Sequence, residues 1–103
     1  AILGSGGRYV DYAASKAALD TLTVGLAKEV ALEGIRVNGV RPGIIHTSIH
    51  DKNWGEANLQ EGLKTIPMQR IGEPEEIAEA IVWLLSDASS YMTGSFMDIS
   101  GGR

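Results

Sequence analysis

Tyr12 and Lys16 stand four residues apart in the stretch DYAASKAALDTLTVGLAKEV. On a helix this spacing puts both side chains on one face, with their Cβ atoms adjacent. A free phenol titrates near ~10, too high for ready proton exchange at neutral pH. An ammonium held beside it favours the phenolate. Such a pair can give a proton to a carbonyl oxygen and take it back from an alcohol. Spacing alone does not separate this chemistry from an ordinary surface pair. His46 and His50 are also four apart and offer imidazole nitrogens. No third ligand is placed to help them, so no metal site is expected.

The elements around these residues read as alternating helix and strand. Over residues 10–33, Leu19, Leu22, Leu26 and Val30 recur at spacings of three and four, which predicts a helix with one apolar stripe. Ala13, Ala14, Ala17 and Ala18 keep its first half thin, and Gly34 suits the position just past its end. IRVNGVR is short and rich in β-branched residues, and Pro42-Gly43 stops it, so a strand is expected over 35–41. Residues 44–67 are polar and mixed, with a short helix expected inside DKNWGEANLQEGLK.

EPEEIAEAIVWLLSD reads as a second long helix. Pro74 suits its first position, and Glu73, Glu75 and Glu76 complement the positive end of its dipole. Ile77, Ile81, Leu84 and Leu85 are expected to line one face. SFMDIS reads as a last strand before Gly101-Gly102, and the opening AILGSGG as a strand end running into a loop. Two strands and two helices bury little by themselves. The pattern is that of the C-terminal portion of a doubly wound, Rossmann-like α/β parallel sheet, and a chain opening on Ala1 in this way is expected to be a fragment.

The 103 residues are enough for one small domain. A net charge of −4 offers no basic surface for nucleic acid or anionic lipid. With no cysteine, disulfides and thiolate metal sites are excluded, and the expected compartment is cytoplasmic. No apolar run reaches the ~20 residues of a membrane span, and no signal peptide is visible.

The order of motifs is more telling than any one of them. YAASKAAL, then GIRVNGVRPGIIHT, then PMQRIGEPEEIAEAIVWLLSDASSYMTG and a terminal Gly-Gly resemble the short-chain dehydrogenase/reductase family along nearly the whole chain. The closest likeness is to its sugar/polyol dehydrogenase and 3-oxoacyl-carrier-protein reductase branches. The resemblance implies an NAD(P)-dependent oxidoreductase that interconverts a carbonyl and an alcohol. It implies that Tyr12 is the catalytic acid/base and that Lys16 favours its phenolate and hydrogen-bonds the nicotinamide ribose. It also implies that Pro42 and Gly43 form the turn beside the nicotinamide, with the Ile45 backbone and the Thr47 hydroxyl meeting the carboxamide. Residues 48–66 match the family's substrate loop, where Trp54 or Leu59 would line an apolar wall.

The family's glycine-rich cofactor loop and catalytic serine are not found in residues 1–103, and Ser5 stands too close to Tyr12 to replace the serine. The chain is therefore expected to be the C-terminal part of a single dinucleotide-binding oxidoreductase domain, without its N-terminal cofactor-binding half and inactive alone. The family further implies a small-molecule substrate and a homo-oligomer, dimer or tetramer. An alternative is a non-catalytic assembly fragment carrying the subunit-contact helices and strand.

Overall fold

The tyrosine helix, α1, runs Ser5–Val30 in the computed structural model, which describes residues 5–46 and 56–103, with side chains over 10–46 and 60–103. The strand expected at the start of the chain lies outside these residues, except that Ser5–Gly7, expected as loop, belong to α1. Adding a residue to an existing helix is easy compared with nucleating one, so even weak formers are taken in. A 3-10 turn, Ala31–Glu33, follows, and Gly34 ends it at φ 77°, with its N–H donating to the Ala31 carbonyl. That left-handed conformation is one glycine adopts without a Cβ penalty, as the sequence predicted.

The chain divides into two units, Ala1–Gly39 with Met92–Ser95, and Val40–Tyr91 with Phe96–Arg103. In the first, the less exposed face of α1 carries Asp20, Thr23, Val24, Ala27 and Val30, and Ala27 is 1% exposed. Its methyl would lie 3.5 Å from a Cβ built on Gly94, so two small residues meet there. The leucine stripe is open: Leu19 and Leu22 are each 62% exposed. Periodicity shows that a helix has an apolar face, not that anything in the same chain covers it.

The strand expected over 35–41 is shorter, β1 being Gly39–Pro42. The residues before it are tied down by another route. The Val37 N–H donates to Thr93 Oγ1 at 3.0 Å, and the Gly94 N–H to the Val37 carbonyl at 2.7 Å. Asn38 donates from Nδ2 to the Met92 carbonyl and accepts the Ser95 N–H at Oδ1, both at 3.0 Å. Its amide thus makes two of the hydrogen bonds that a strand neighbour would otherwise make.

Strand β1 pairs with β2 (Phe96–Ile99). The Gly39 N–H donates to Ser95 O, and the Gly43 N–H to Ile99 O, both at 2.9 Å. Equal steps along both strands make the pair parallel. This is the mixed α/β arrangement expected for part of a doubly wound sheet. In this register Arg41 and Asp98 are opposed on one face, their side chains 3.7 Å apart, with the Arg41 guanidinium 4.2 Å from the Phe96 ring centroid.

Helix α2 (Glu56–Lys64) is the short helix expected inside the long polar segment. Helix α3 (Pro74–Leu85) begins with Pro74 at its first position, where the missing N–H would have no intrahelical partner anyway. Its less exposed residues are Ile77, Ala80 and Leu84, whereas Leu85 is 78% exposed and Ile81 40%. A 3-10 turn, Asp87–Ser89, closes the helix end. The buried Ser89 hydroxyl lies 2.8 Å from the Leu84 carbonyl and 3.1 Å from that of Trp83, two of the helix's last acceptors. Among the described residues the buried apolar side chains are Ala27 in the first unit and Ile44, Ile66 and Leu84 in the second.

Candidate functional site

α1 holds Tyr12 and Lys16 on one face, as the spacing required. The Lys16 ammonium lies over the Tyr12 ring, 5.6 Å from its centroid. A cation on a ring face gains from the π quadrupole, about 0.5–1 kcal/mol at an open site. Tyr12 is 61% exposed, so its hydroxyl is open to a ligand. The pair offers one neutral O–H, able to donate or accept, and one ammonium with three donors.

The other expected residues cluster in the second unit at the C-terminal end of β1. In open α/β sheets this end is where ligands sit. Pro42 is the last residue of the strand. Gly43 follows, and a Cβ built there would lie 2.8 Å from Ser100 Cα and 2.9 Å from Ser100 Cβ. Its close approach is therefore to the chain's own backbone at Ser100. That packing is by itself a sufficient reason for a glycine in the turn.

Ile45 forms a parallel bridge with Gly72. The Gly72 N–H donates to Ile44 O at 2.9 Å, and the His46 N–H to Gly72 O at 2.8 Å. In such a bridge the N–H and C=O of Ile45 itself face away from Gly72. Ile45 has other interactions in the chain. A carbonyl oxygen nevertheless carries two lone pairs and can serve a ligand beside an existing partner. Thr47, His50 and Trp54 lie outside the described residues, and Leu59 is described by its backbone alone, in α2. A concavity of about 810 Å³ lies within this unit, with Pro42, Gly43, Ile45, Met68, Arg70 and Gly101 among its walls.

One group in that wall went unnoticed in the sequence. Arg70 donates to both carboxylate oxygens of Glu76, Nη1 to Oε1 at 2.9 Å and Nη2 to Oε2 at 2.8 Å. The same Oε1 accepts the Glu73 N–H at 2.9 Å, the reach-back arm of a capping box. The bonds from Arg70, and then the Glu73 amide, hold the Glu76 carboxyl at about 2, well below the usual carboxylate value. Arg70 is raised in turn, chiefly by its hydrogen bond to Glu76. The sequence reading assigned Glu76 to the helix dipole; the available signal was the capping-box spacing from Glu73 to Glu76. His46 Nδ1 stands 3.9 Å from Glu73 Oε2. Among the described residues no three His, Cys, Asp or Glu side chains form a group able to hold a metal ion.

Comparison with known proteins agrees with the motif order. Residues 2–103 match the family model described as enoyl-(acyl carrier protein) reductase. The chain belongs to the short-chain dehydrogenase/reductase family. It is 59% identical over 101 residues to the uncharacterized oxidoreductase YgfF of Escherichia coli, covering 98% of this chain and 41% of that protein. It is 46% identical over 101 residues to the 3-oxoacyl-[acyl-carrier-protein] reductase FabG of Thermotoga maritima, covering 98% and 40%. To glucose 1-dehydrogenase 2 of Bacillus subtilis it is 42% identical over 93 residues, covering 90% and 36%. The chain thus spans about two fifths of the length of these relatives and corresponds to the C-terminal part of the family. Members of this family use NAD or NADP. A nicotinamide nucleotide suits the groups described here: ribose hydroxyls can accept from an ammonium, and a primary carboxamide, both donor and acceptor, can pair with backbone N–H and C=O. Among the described residues no helix is long and apolar enough to cross a membrane.

Proposed function

We propose that this chain is the C-terminal part of a single dinucleotide-binding domain, in an NAD(P)-dependent oxidoreductase that interconverts a small-molecule carbonyl and an alcohol. The observation that carries the reading is the Lys16 ammonium against the Tyr12 ring on an open helix face. In the reducing direction the Tyr12 hydroxyl gives its proton to the carbonyl oxygen. In the oxidising direction the Tyr12 oxygen takes the proton from the alcohol. Lys16 assists from its place over the Tyr12 ring and donates to the ribose hydroxyls. Pro42 and Gly43 shape the turn at the strand end, and the Ile45 backbone and the Thr47 hydroxyl hold the carboxamide. The bound dinucleotide supplies the hydride. The substrates named for the relatives, an oxoacyl-carrier-protein and glucose, fall within this chemistry.

Tyr12→Phe in the complete protein tests the reading. Phenylalanine keeps the ring and its cation contact but has no proton to give. Turnover with NADH or NADPH should fall by about 10²–10⁴-fold with the fold intact. Activity near that of the parent would sink the assignment.

The open apolar faces favour a second reading, in which this part of the protein mainly builds subunit contacts. Leu19, Leu22 and Leu26 on α1, and Val82, Trp83 and Leu85 on α3, are all exposed. Leu19→Glu combined with Leu22→Glu would then lower the assembly size in sedimentation while leaving dinucleotide binding in place.

A further inference from the structure

The backbone at Ile45 is held from one side by Gly72, and Gly72 is held by a carboxylate that touches neither Ile45 nor Gly72 by a hydrogen bond. Glu76 grips residues on both sides of Gly72 at once. Its two oxygens take both Arg70 Nη atoms, two residues before the glycine, and its Oε1 also takes the Glu73 N–H, the residue after it. Arg70 Nη1 lies 3.3 Å from the Ile71 carbonyl as well, so the guanidinium also fixes the peptide leading into Gly72. Gly72 then passes this constraint on through its two bonds to Ile44 and His46.

A Cβ on Gly72 would fall 2.9 Å from Ile45 Cδ1, the tip of a side chain that can turn aside, and 3.8 Å from Ile44 O. The coupling of segments 70–73 and 44–46 therefore lies in the two backbone hydrogen bonds, through which a shift in one is passed to the other.

We propose that Glu76 is the positioning residue of the Ile45 segment: by clamping Arg70 and the Glu73 amide together it sets the direction in which the Ile45 backbone meets a primary carboxamide. The proposal rests on the reading of Ile45 as the nicotinamide contact. It assigns Glu76 no proton transfer. Glu76 acts through Gly72, so its loss should weaken dinucleotide binding more than it slows turnover at saturation.

The test is amide hydrogen exchange on the complete protein, comparing the parent with Glu76→Ala and Arg70→Ala, together with KM for NADH and NADPH. In Glu76→Ala the Gly72 and His46 amides should exchange about fivefold faster or more, since the charge-assisted grip is gone. The Gly94 amide, bonded to Val37, serves as the reference and should not change. Arg70→Ala leaves the Glu73 N–H bond in place and should give a smaller change of the same kind. KM for the dinucleotide should rise several-fold in Glu76→Ala while kcat moves less. Unchanged protection at Gly72 and His46 overturns the proposal, as does an equal loss at Gly94, which would mean general unfolding. Lost protection with unaltered dinucleotide KM also overturns it, because the Ile45 segment would then not serve the cofactor. Failure of the oxidoreductase reading shows elsewhere, as survival of activity in Tyr12→Phe.

Discussion

Gly43→Ala should be far more damaging than a single methyl suggests. Two carbon atoms rest at about 3.5–4.0 Å. The added Cβ would stand 2.8 Å from Ser100 Cα and 3.2 Å from the Ser100 carbonyl oxygen. Relief therefore needs a movement of about 0.7 Å or more by one backbone against another. Neither side is the free end of a flexible chain. Overpacking of this kind costs about 1–3 kcal/mol. The Gly43 N–H bond to Ile99 O closes the strand pair at the same point, and straining it adds about 1 kcal/mol. The expected loss is about 2–4 kcal/mol, read as a fall of about 1–2 M in the urea midpoint with the slope unchanged.

Two other glycines calibrate the measurement. Gly25 lies inside α1 with nothing within 4 Å of a built Cβ, so Gly25→Ala should stabilise by up to about 1 kcal/mol. Gly34 also has open space but sits at φ 77°, so Gly34→Ala should cost about 1 kcal/mol through backbone strain alone. The order Gly25→Ala above parent, then Gly34→Ala, then Gly43→Ala tests the packing directly. A Gly43→Ala protein as stable as Gly34→Ala would show that the turn after β1 does not sit against Ser100, and the reasoning would fail.

Other expectations are simpler. Asn38→Ala removes the two side-chain bonds from Asn38 to the Met92–Ser95 segment and should destabilise by about 2–3 kcal/mol, with Asn38→Asp recovering part of this because its oxygen still accepts the Ser95 N–H; urea unfolding measures both. The Glu76 carboxyl is held at about 2 in the folded chain against an ordinary value of 4.5. Because the folded value is the lower one, the stability it contributes is complete above 4.5 and is lost as the pH falls towards 2. Acid titration of the parent should therefore show a loss in that window that Glu76→Gln lacks, and identical acid profiles would contradict the clamp.

Much of the local structure was legible because its causes are local. Residues three and four apart on one face, proline at a helix start and glycine at a helix end act within a few positions of themselves, so α1, α3, Gly34 and Pro74 could be read from the chain. The Tyr12–Lys16 pairing was legible for the same reason, since one helical turn brings the side chains together whatever surrounds them. The family was legible from the order of motifs, although the reason for several of those motifs was not.

What the tertiary structure decided depends on partners distant along the chain. Asn38 finds its acceptor 54 residues away and its donor 57 away, so no window around it reveals its role. Gly43 is a glycine because of Ser100. The leucines of α1 show the converse, for their periodicity established an apolar face while Ala27 took the buried position. A periodic pattern reports the geometry of its own helix. Which face is covered is set by whatever packs against it, and that is a property of the assembled structure.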